Sequence, residues 1–234
     1  MTSVLLTCEH GGNEIPVAYR SHFTKAKATL STHRGLDIGA LDLFHKMEAI
    51  AETSYHSTTS RLLVELNRSL YHPNLFSKWT KGLNQEEKNQ IIADHYLPYR
   101  YAVESYIRDS LKKKDQLMHI SVHSFTPELD GIVRNADIGL LYDPQRASEK
   151  RFATAWAKAI RDHAPDLRVR MNYPYRGTAD GFTTYLRRKF KKNYSGIELE
   201  VNQKWAAGSA MDKRITEVLI ESVRTVLELS LIHI

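Results

Sequence analysis

Apolar and polar positions along this chain change period several times, and each change marks a predicted element. Residues 4–7 form a short apolar run that ends abruptly in the polar, glycine-rich CEHGGNEIP. That is the pattern of a buried first strand delivering its end into a loop. Ile38, Leu41, Leu43, Phe44, Met47 and Ile50 recur at near-helical spacing, so a helix follows HRGLD. Residues 62–66 read as a second strand that closes in Asn67 and Arg68. Residues 85–114 are strongly helical, with Pro98 predicted to break or kink the run because it has no backbone N–H to donate. Residues 117–123, with β-branched Ile120 and Val122, predict a central strand ending at His123, and 138–142 predict another. Farther on, 148–163 read as helix, 167–171 as extended, 181–192 as helix, 196–201 as extended and 212–229 as a last amphipathic helix. Strands alternating with helices predict a three-layer α/β/α fold around a mostly parallel or mixed central sheet.

Composition narrows the class. A chain of 234 residues with 42% hydrophobic content suits one domain over 1–234, and it contains no repeat, low-complexity tract or Gly/Ser linker. No run approaches the ~18 apolar residues of a membrane span, and the opening TSVLLTCEH is too short for a signal peptide. A soluble, cytoplasmic protein without a membrane partner is the expectation. Cys8 is the only cysteine, so no disulfide framework or Cys-rich zinc site is available, and any metal must be held by His and carboxylates. The net charge of +6 suits an anionic small molecule or a solvated surface. Lys112, Lys113 and Lys114 end a predicted helix, where cations complement the dipole, and the basic stretch 187–192 has no interleaved stacking aromatics. With no zinc-finger, helix-turn-helix or RNP signature beside the charge, no nucleic-acid partner is expected.

The chemistry gathers where predicted strands end: Glu9 and His10, Asn67 and Arg68, His123 and Ser124, and Glu200. In open α/β sheets ligands collect at the carboxyl ends of strands, so these separate loops can converge. A lone histidine is more often a hydrogen-bonded structural residue. Two at strand ends with carboxylates nearby favour a metal, and His10 and His123 are the candidate ligands. A catalytic zinc takes three protein ligands and keeps one position open. Glu14, four positions after His10, and Asp37 in HRGLD are rivals for the third place; otherwise Glu14 is a solvated loop carboxylate and Asp37 a helix cap. Glu9 is a candidate partner behind a ligand. Arg68 offers a fixed cation for a developing oxyanion, and Asn67 can orient the same substrate. Arg61 and Arg176 can bind carboxylates bidentately, and Gly177 and Gly181 would let the backbone close around a ligand. Ser124 is not read as a nucleophile, because adjacent strand residues point to opposite faces and no nucleophile elbow is present.

Six segments, CEHGGNEIP, THRGLDIGA, SRLLVELNRS, ISVHSFTPELDG, YPYRGTADG and GIELEVNQ, stand in one order over residues 4 to about 205. Together they resemble the motif set of the N-formylglutamate amidohydrolase family. Each alone is weak; the ordered set is specific. The resemblance implies a zinc-exopeptidase-like fold, shared with zinc carboxypeptidases and aspartoacylase, and one Zn2+ per chain. It implies hydrolysis of an N-acyl amino acid, N-formyl-L-glutamate foremost. VHS is similar to the strand-end His-Ser of those peptidases, and ELNR resembles the Asn-Arg pair with which aspartoacylase-like enzymes grip substrate. The resemblance favours Asp37 as the third ligand, since peptidases of this fold use His-x-x-Glu and Asn13 occupies that place here; Glu14 stays open. It sets Glu200 at the general-base position. The stretch YHPNLFSKWTKGL departs from the family pattern, which touches substrate identity more than reaction type. Two other readings stand beside this one. The first is a zinc peptidase or amidase acting on a short peptide, a cell-wall fragment or another N-acyl amino acid. The second is a non-catalytic small-acid or nucleic-acid-binding module that holds no metal.

Overall fold

Six strands make one mixed sheet in the computed structural model, which describes residues 2–113 and 116–232. They are β1 (Thr2–Cys8), β2 (Thr53–His56), β3 (Gln116–Phe125), β4 (Ile138–Leu141), β5 (Val169–Met171) and β6 (Tyr194–Asn202). Their spatial order is β2-β1-β3-β6-β4-β5. Strands β2, β1, β3 and β6 run parallel; β4 runs antiparallel to β6, and β5 parallel to β4. The principal helices are α1 (Ala40–Met47), α2 (Gln85–Ile91), α3 (Leu97–Lys113), α4 (Ala147–His163), α5 (Phe182–Lys189) and α6 (Lys213–Ile232).

The period-two alternation of the strands sorts their side chains between two helical layers. On one face, Leu6 and Cys8 of β1, Met118, Ile120 and Val122 of β3 and Ile197, Leu199 and Val201 of β6 form the main core with α1, α4 and α6. On the other, Leu5, Leu117 and Tyr194 pack against Val103, Ile107, Phe182 and Leu186 of α3 and α5. The expected three-layer α/β/α fold is therefore present. That second face turns polar toward the carboxyl ends of the strands, where Ser121, His123, Glu198 and Glu200 are buried beside Glu9 and His10. Burying so many ionisable groups is costly unless they are paired or used.

Two local expectations are corrected. Residues 62–66 are not a strand; their backbone is spent in turns and loop contacts, with Leu63 N–H donating to Ser60 at 2.9 Å and Glu65 N–H to Leu75 at 2.9 Å. Leu63, Val64 and Leu66 are apolar because they fill a satellite core with Ile15, Phe23, Leu75, Ile91 and Tyr96. The second strand is β2, an edge strand whose TSYH carries no apolar alternation. The long helix is interrupted before Pro98, not at it: Ile92–Tyr96 form a π-helical turn between α2 and α3, and Pro98 falls just after it. A π turn re-routes the hydrogen bonds of carbonyls to which proline, lacking an N–H, cannot donate. Lys114, expected at the end of that helix, lies outside the described residues. Among the described residues no helix is long and apolar enough to cross a membrane.

Candidate active site

Strands β1, β3 and β6 are neighbours and parallel, so their carboxyl ends share one edge. His123 stands in register with Glu200 across the β3–β6 pair, and β1 runs on into buried Glu9 and His10. The segment before α1 is fastened over this edge by Asp37 N–H, which donates to the His10 carbonyl at 2.9 Å. His10, Asp37 and His123 thereby bring one ligand atom each within 4.8 Å of one another. Asp37 Oδ2 lies 2.9 Å from His123 Nδ1 and 3.3 Å from His10 Nδ1.

Both imidazoles turn Nδ1 to this cluster and are held from behind through Nε2. Nε2 of His10 meets Glu65, which Arg61 grips through Nε at 2.8 Å and Nη2 at 2.6 Å. Nε2 of His123 meets Ser121 at 2.8 Å and Glu9 at 3.2 Å; Glu9 also accepts from Ser121 at 2.6 Å and from Tyr99 at 2.9 Å. A carboxylate behind a ligand histidine fixes its tautomer and ring plane. Burial opposes charge on His123, Glu9, Asp37 and Glu65, yet their pairing outweighs it. Hydrogen bonds to Asp37 and Glu9 hold His123 well above its ordinary pKa. Glu9 is held below the carboxylate range by His123, Asp37 by His10 and His123, and Glu65 by Arg61 and His10. Two imidazole nitrogens and one carboxylate, buried and braced, make a donor set that fits Zn2+ with a position to spare.

A cavity of about 150 Å³ adjoins the cluster. Its walls bring together His10, Asp37, Arg61, Asn67, Arg68, His123, Arg176 and Glu200. Glu200 is 5% exposed and its Oε2 has no hydrogen-bond partner among the described residues. Burial pushes its pKa up to about 8, with the charges of Asp37 and Glu198 adding and those of His123 and Arg61 opposing. Asn67 Oδ1 accepts the Phe182 N–H at 2.6 Å, and Arg68 Nη1 donates to the Asp180 carbonyl, so both are moored to the start of α5. Arg61 is in the wall, but its guanidinium is engaged by Glu65 and by Asp37 Oδ1 at 3.1 Å, which makes it a brace more than a free anion receptor.

Two expected residues stand apart from the cavity. Glu14 is exposed, and its carboxylate accepts from Thr58 Oγ1 at 2.9 Å, because the bond from Glu14 N–H to the Thr58 carbonyl turns the side chain outward. Of the two rivals, Asp37 is the carboxylate that stands beside both histidines. Gly177 touches protein, not the cavity: a Cβ there would lie 2.2 Å from Tyr142 N, so glycine is needed to seat the loop that carries Arg176 and Asp180. Glu65 was not singled out in the sequence. Its signal was a carboxylate alone in the apolar run RLLVEL, which must find a partner if that run is buried. Tyr175 and Asp180 also line the cavity, and Glu198, two residues deeper than Glu200, accepts from Thr183.

Fold and site together define a three-layer α/β protein with a histidine and carboxylate centre at the carboxyl edge of its sheet. The chain belongs to the N-formylglutamate amidohydrolase family, whose model matches residues 2–206. It is thus placed among amide hydrolases. Solved structures share the fold. A gene product of Agrobacterium tumefaciens, Atu2144, superposes with a TM-score of 0.81 at 24% identity over 97% of this chain and 91% of its own. An N-formylglutamate amidohydrolase from Ralstonia eutropha JMP134 does so with a TM-score of 0.68 at 14% identity, covering 98% and 94%. No curated protein sequence matches the chain.

Proposed function

We propose that the protein hydrolyses the amide bond of an N-acyl amino acid, with N-formyl-L-glutamate the leading substrate, using one Zn2+ held by His10, Asp37 and His123. The observation that carries this reading is Glu200: a buried carboxylate with an unpartnered oxygen, in the same cavity as the donor cluster. In the reaction, water adds to the acyl carbon and the C–N bond breaks, giving a carboxylate from the acyl group and an ammonium group on the released amino acid. Bound zinc would supply a Lewis acid that polarises the carbonyl and acidifies water. Glu200 takes the proton of the attacking water on its free oxygen and returns it to the leaving nitrogen. Arg68 sets positive charge beside the oxygen that becomes negative, and Asn67 orients the substrate next to it. Arg176, which forms no ion pair among the described residues, receives a substrate carboxylate. Glu65 and Glu9 keep the two histidines in place, and Arg61 keeps Glu65 and Asp37 in place.

The test is metal content of the purified protein together with formate release from N-formyl-L-glutamate, before and after chelation. Stoichiometric zinc with chelator-sensitive formate release is the expected result. Zinc without formate would redirect the search to other amides, and a protein that binds no metal would remove the proposal.

A further inference from the structure

A second chamber, of about 300 Å³, opens beside the catalytic cavity and shares Asp37, Arg61, Ser124 and Tyr175 with it. The rest of its wall is different in character, with Arg34, Arg134 and His33 supplying cationic edges and Phe125 and Leu129 an apolar surface. Arg61 is neutralised by Glu65 and Asp37, whereas Arg34 and Arg134 form no ion pair among the described residues. Arg134 is nevertheless held: Nη1 donates to Tyr175 OH at 3.0 Å, and the guanidinium sits 5.0 Å from the Tyr175 ring centre. Burial, followed by the charges of Arg34, Arg134 and Arg61, keeps His33 below its ordinary pKa, and Arg34 and Arg134 give this mouth its positive charge.

The two chambers meet at Asp37, the member of the donor cluster that lines both, so a substrate whose scissile carbonyl lies beside the cluster can have one portion on each side. Asn67, Arg68 and Arg176 in the first cavity suit the amino-acid portion. A formyl group ends at its carbonyl carbon and would leave the second chamber without an occupant. We propose that this second chamber receives the acyl portion of substrates larger than the formyl compound and selects, among them, acyl groups that end in a carboxylate. This rests on the amide-hydrolase reading above. For an N-succinyl amino acid and one water, the products are the succinate dianion and the amino acid with its ammonium group: the C–N bond breaks, a C–O bond to the water oxygen forms, and both water protons end on the leaving nitrogen.

The experiment compares kcat/KM for N-formyl-, N-butyryl- and N-succinyl-L-glutamate, read by glutamate release, in the zinc-loaded protein and in R34Q and R34Q/R134Q. Binding of free succinate to the metal-free proteins is measured by calorimetry in parallel. N-succinyl-L-glutamate is expected to exceed N-butyryl-L-glutamate at least tenfold, and R34Q/R134Q to erase that ratio and weaken succinate binding at least tenfold. Arg34 is exposed, so R34Q alone, with a smaller loss in the same direction, guards against a folding defect in the double variant. Equal rates for the butyryl and succinyl compounds, or a ratio that survives in R34Q/R134Q, would overturn the chamber while leaving hydrolysis intact. If no N-acylglutamate is cleaved, the amide-hydrolase reading fails and succinate binding decides: loss in R34Q/R134Q upholds an anion-binding chamber, and unchanged binding overturns it.

Discussion

At the scale of single residues, the proposed reaction assigns metal holding and proton transfer to different side chains. Glu200→Gln keeps the shape of the side chain and removes its basicity. It should lower kcat by about 10² to 10⁴, the span that a positioned general base contributes, with zinc content unchanged. Steady-state kinetics beside metal analysis checks both, and normal turnover in the variant would refute the assigned role. Glu65 meets His10 and does not line the cavity, so its proposed role is to act through His10. Glu65→Ala should weaken zinc binding by about 10- to 100-fold, the usual effect of removing such a brace, and Glu65→Gln should restore part of it. Competition with a chromophoric chelator reads this directly, and unchanged affinity would leave Glu65 no part in holding the metal. Residues such as His10 and His123 were legible in the sequence because each follows an apolar run and so marks a strand end. Glu65 was hidden because its neighbours made the run look like a strand, and in a strand its side chain has no reason to meet His10.

At the scale of elements, legibility followed burial on both faces of the sheet. Strands β1, β3 and β6 are central, and their apolar content announced them. Strand β2 lies at the edge and half exposed, so nothing in TSYH marked it, while the apolar residues 62–66 served a separate core. The three central strands are also tied by His119, whose Nε2 lies 2.8 Å from Thr7 Oγ1 on β1 and whose Nδ1 lies 2.7 Å from Tyr194 OH on β6. Burial depresses its pKa to about 4, with Arg187 and His123 adding to the effect and Glu9 opposing it. The unfolded chain binds that proton near the ordinary value of about 6.5. Stability from this group is therefore complete above about pH 6.5 and is lost as pH falls toward about 4, with a slope of up to about 1.4 kcal/mol per pH unit. Glu200, raised to about 8, gives a slope of opposite sign over much of the same window, so the contribution of His119 is read as the difference between denaturant melts of the metal-free wild type and of His119→Gln, the wild type gaining more stability as pH rises. The depressed carboxylates Glu9, Asp37 and Glu65 lose their contribution at lower pH, below about 4.5, and they and Glu200 are common to both proteins, so the difference isolates His119. An identical slope in His119→Gln would show that His119 is not the titrating group.

At the scale of the whole molecule, the donor cluster is assembled from β1, the segment before α1, and β3, and it is completed by Glu200 from β6. No local spacing reveals such a set; only the shared edge of parallel strands does, which is why ordered motifs spread over the chain were informative where each alone was not. The same construction couples metal to fold, because the ligands are near one another only when the sheet is formed. A ligand that binds the folded state alone stabilises it by about 2.7 kcal/mol at one hundred times its dissociation constant. In a chain of this size each kcal/mol raises Tm by roughly 2–4 °C, so saturating zinc should raise the metal-free protein's Tm by about 5–10 °C. His123→Ala removes one ligand and should abolish most of that rise while still folding at a lower temperature. Scanning calorimetry of both proteins, chelated and then titrated with zinc, makes the comparison. A rise that persists in His123→Ala would locate the zinc elsewhere on the molecule. A wild-type Tm that ignores zinc would favour a small-acid-binding module on the same scaffold over the metal-dependent hydrolase, since the braced trio of His10, Asp37 and His123 would then be an internal ion-pair network with no cation to receive.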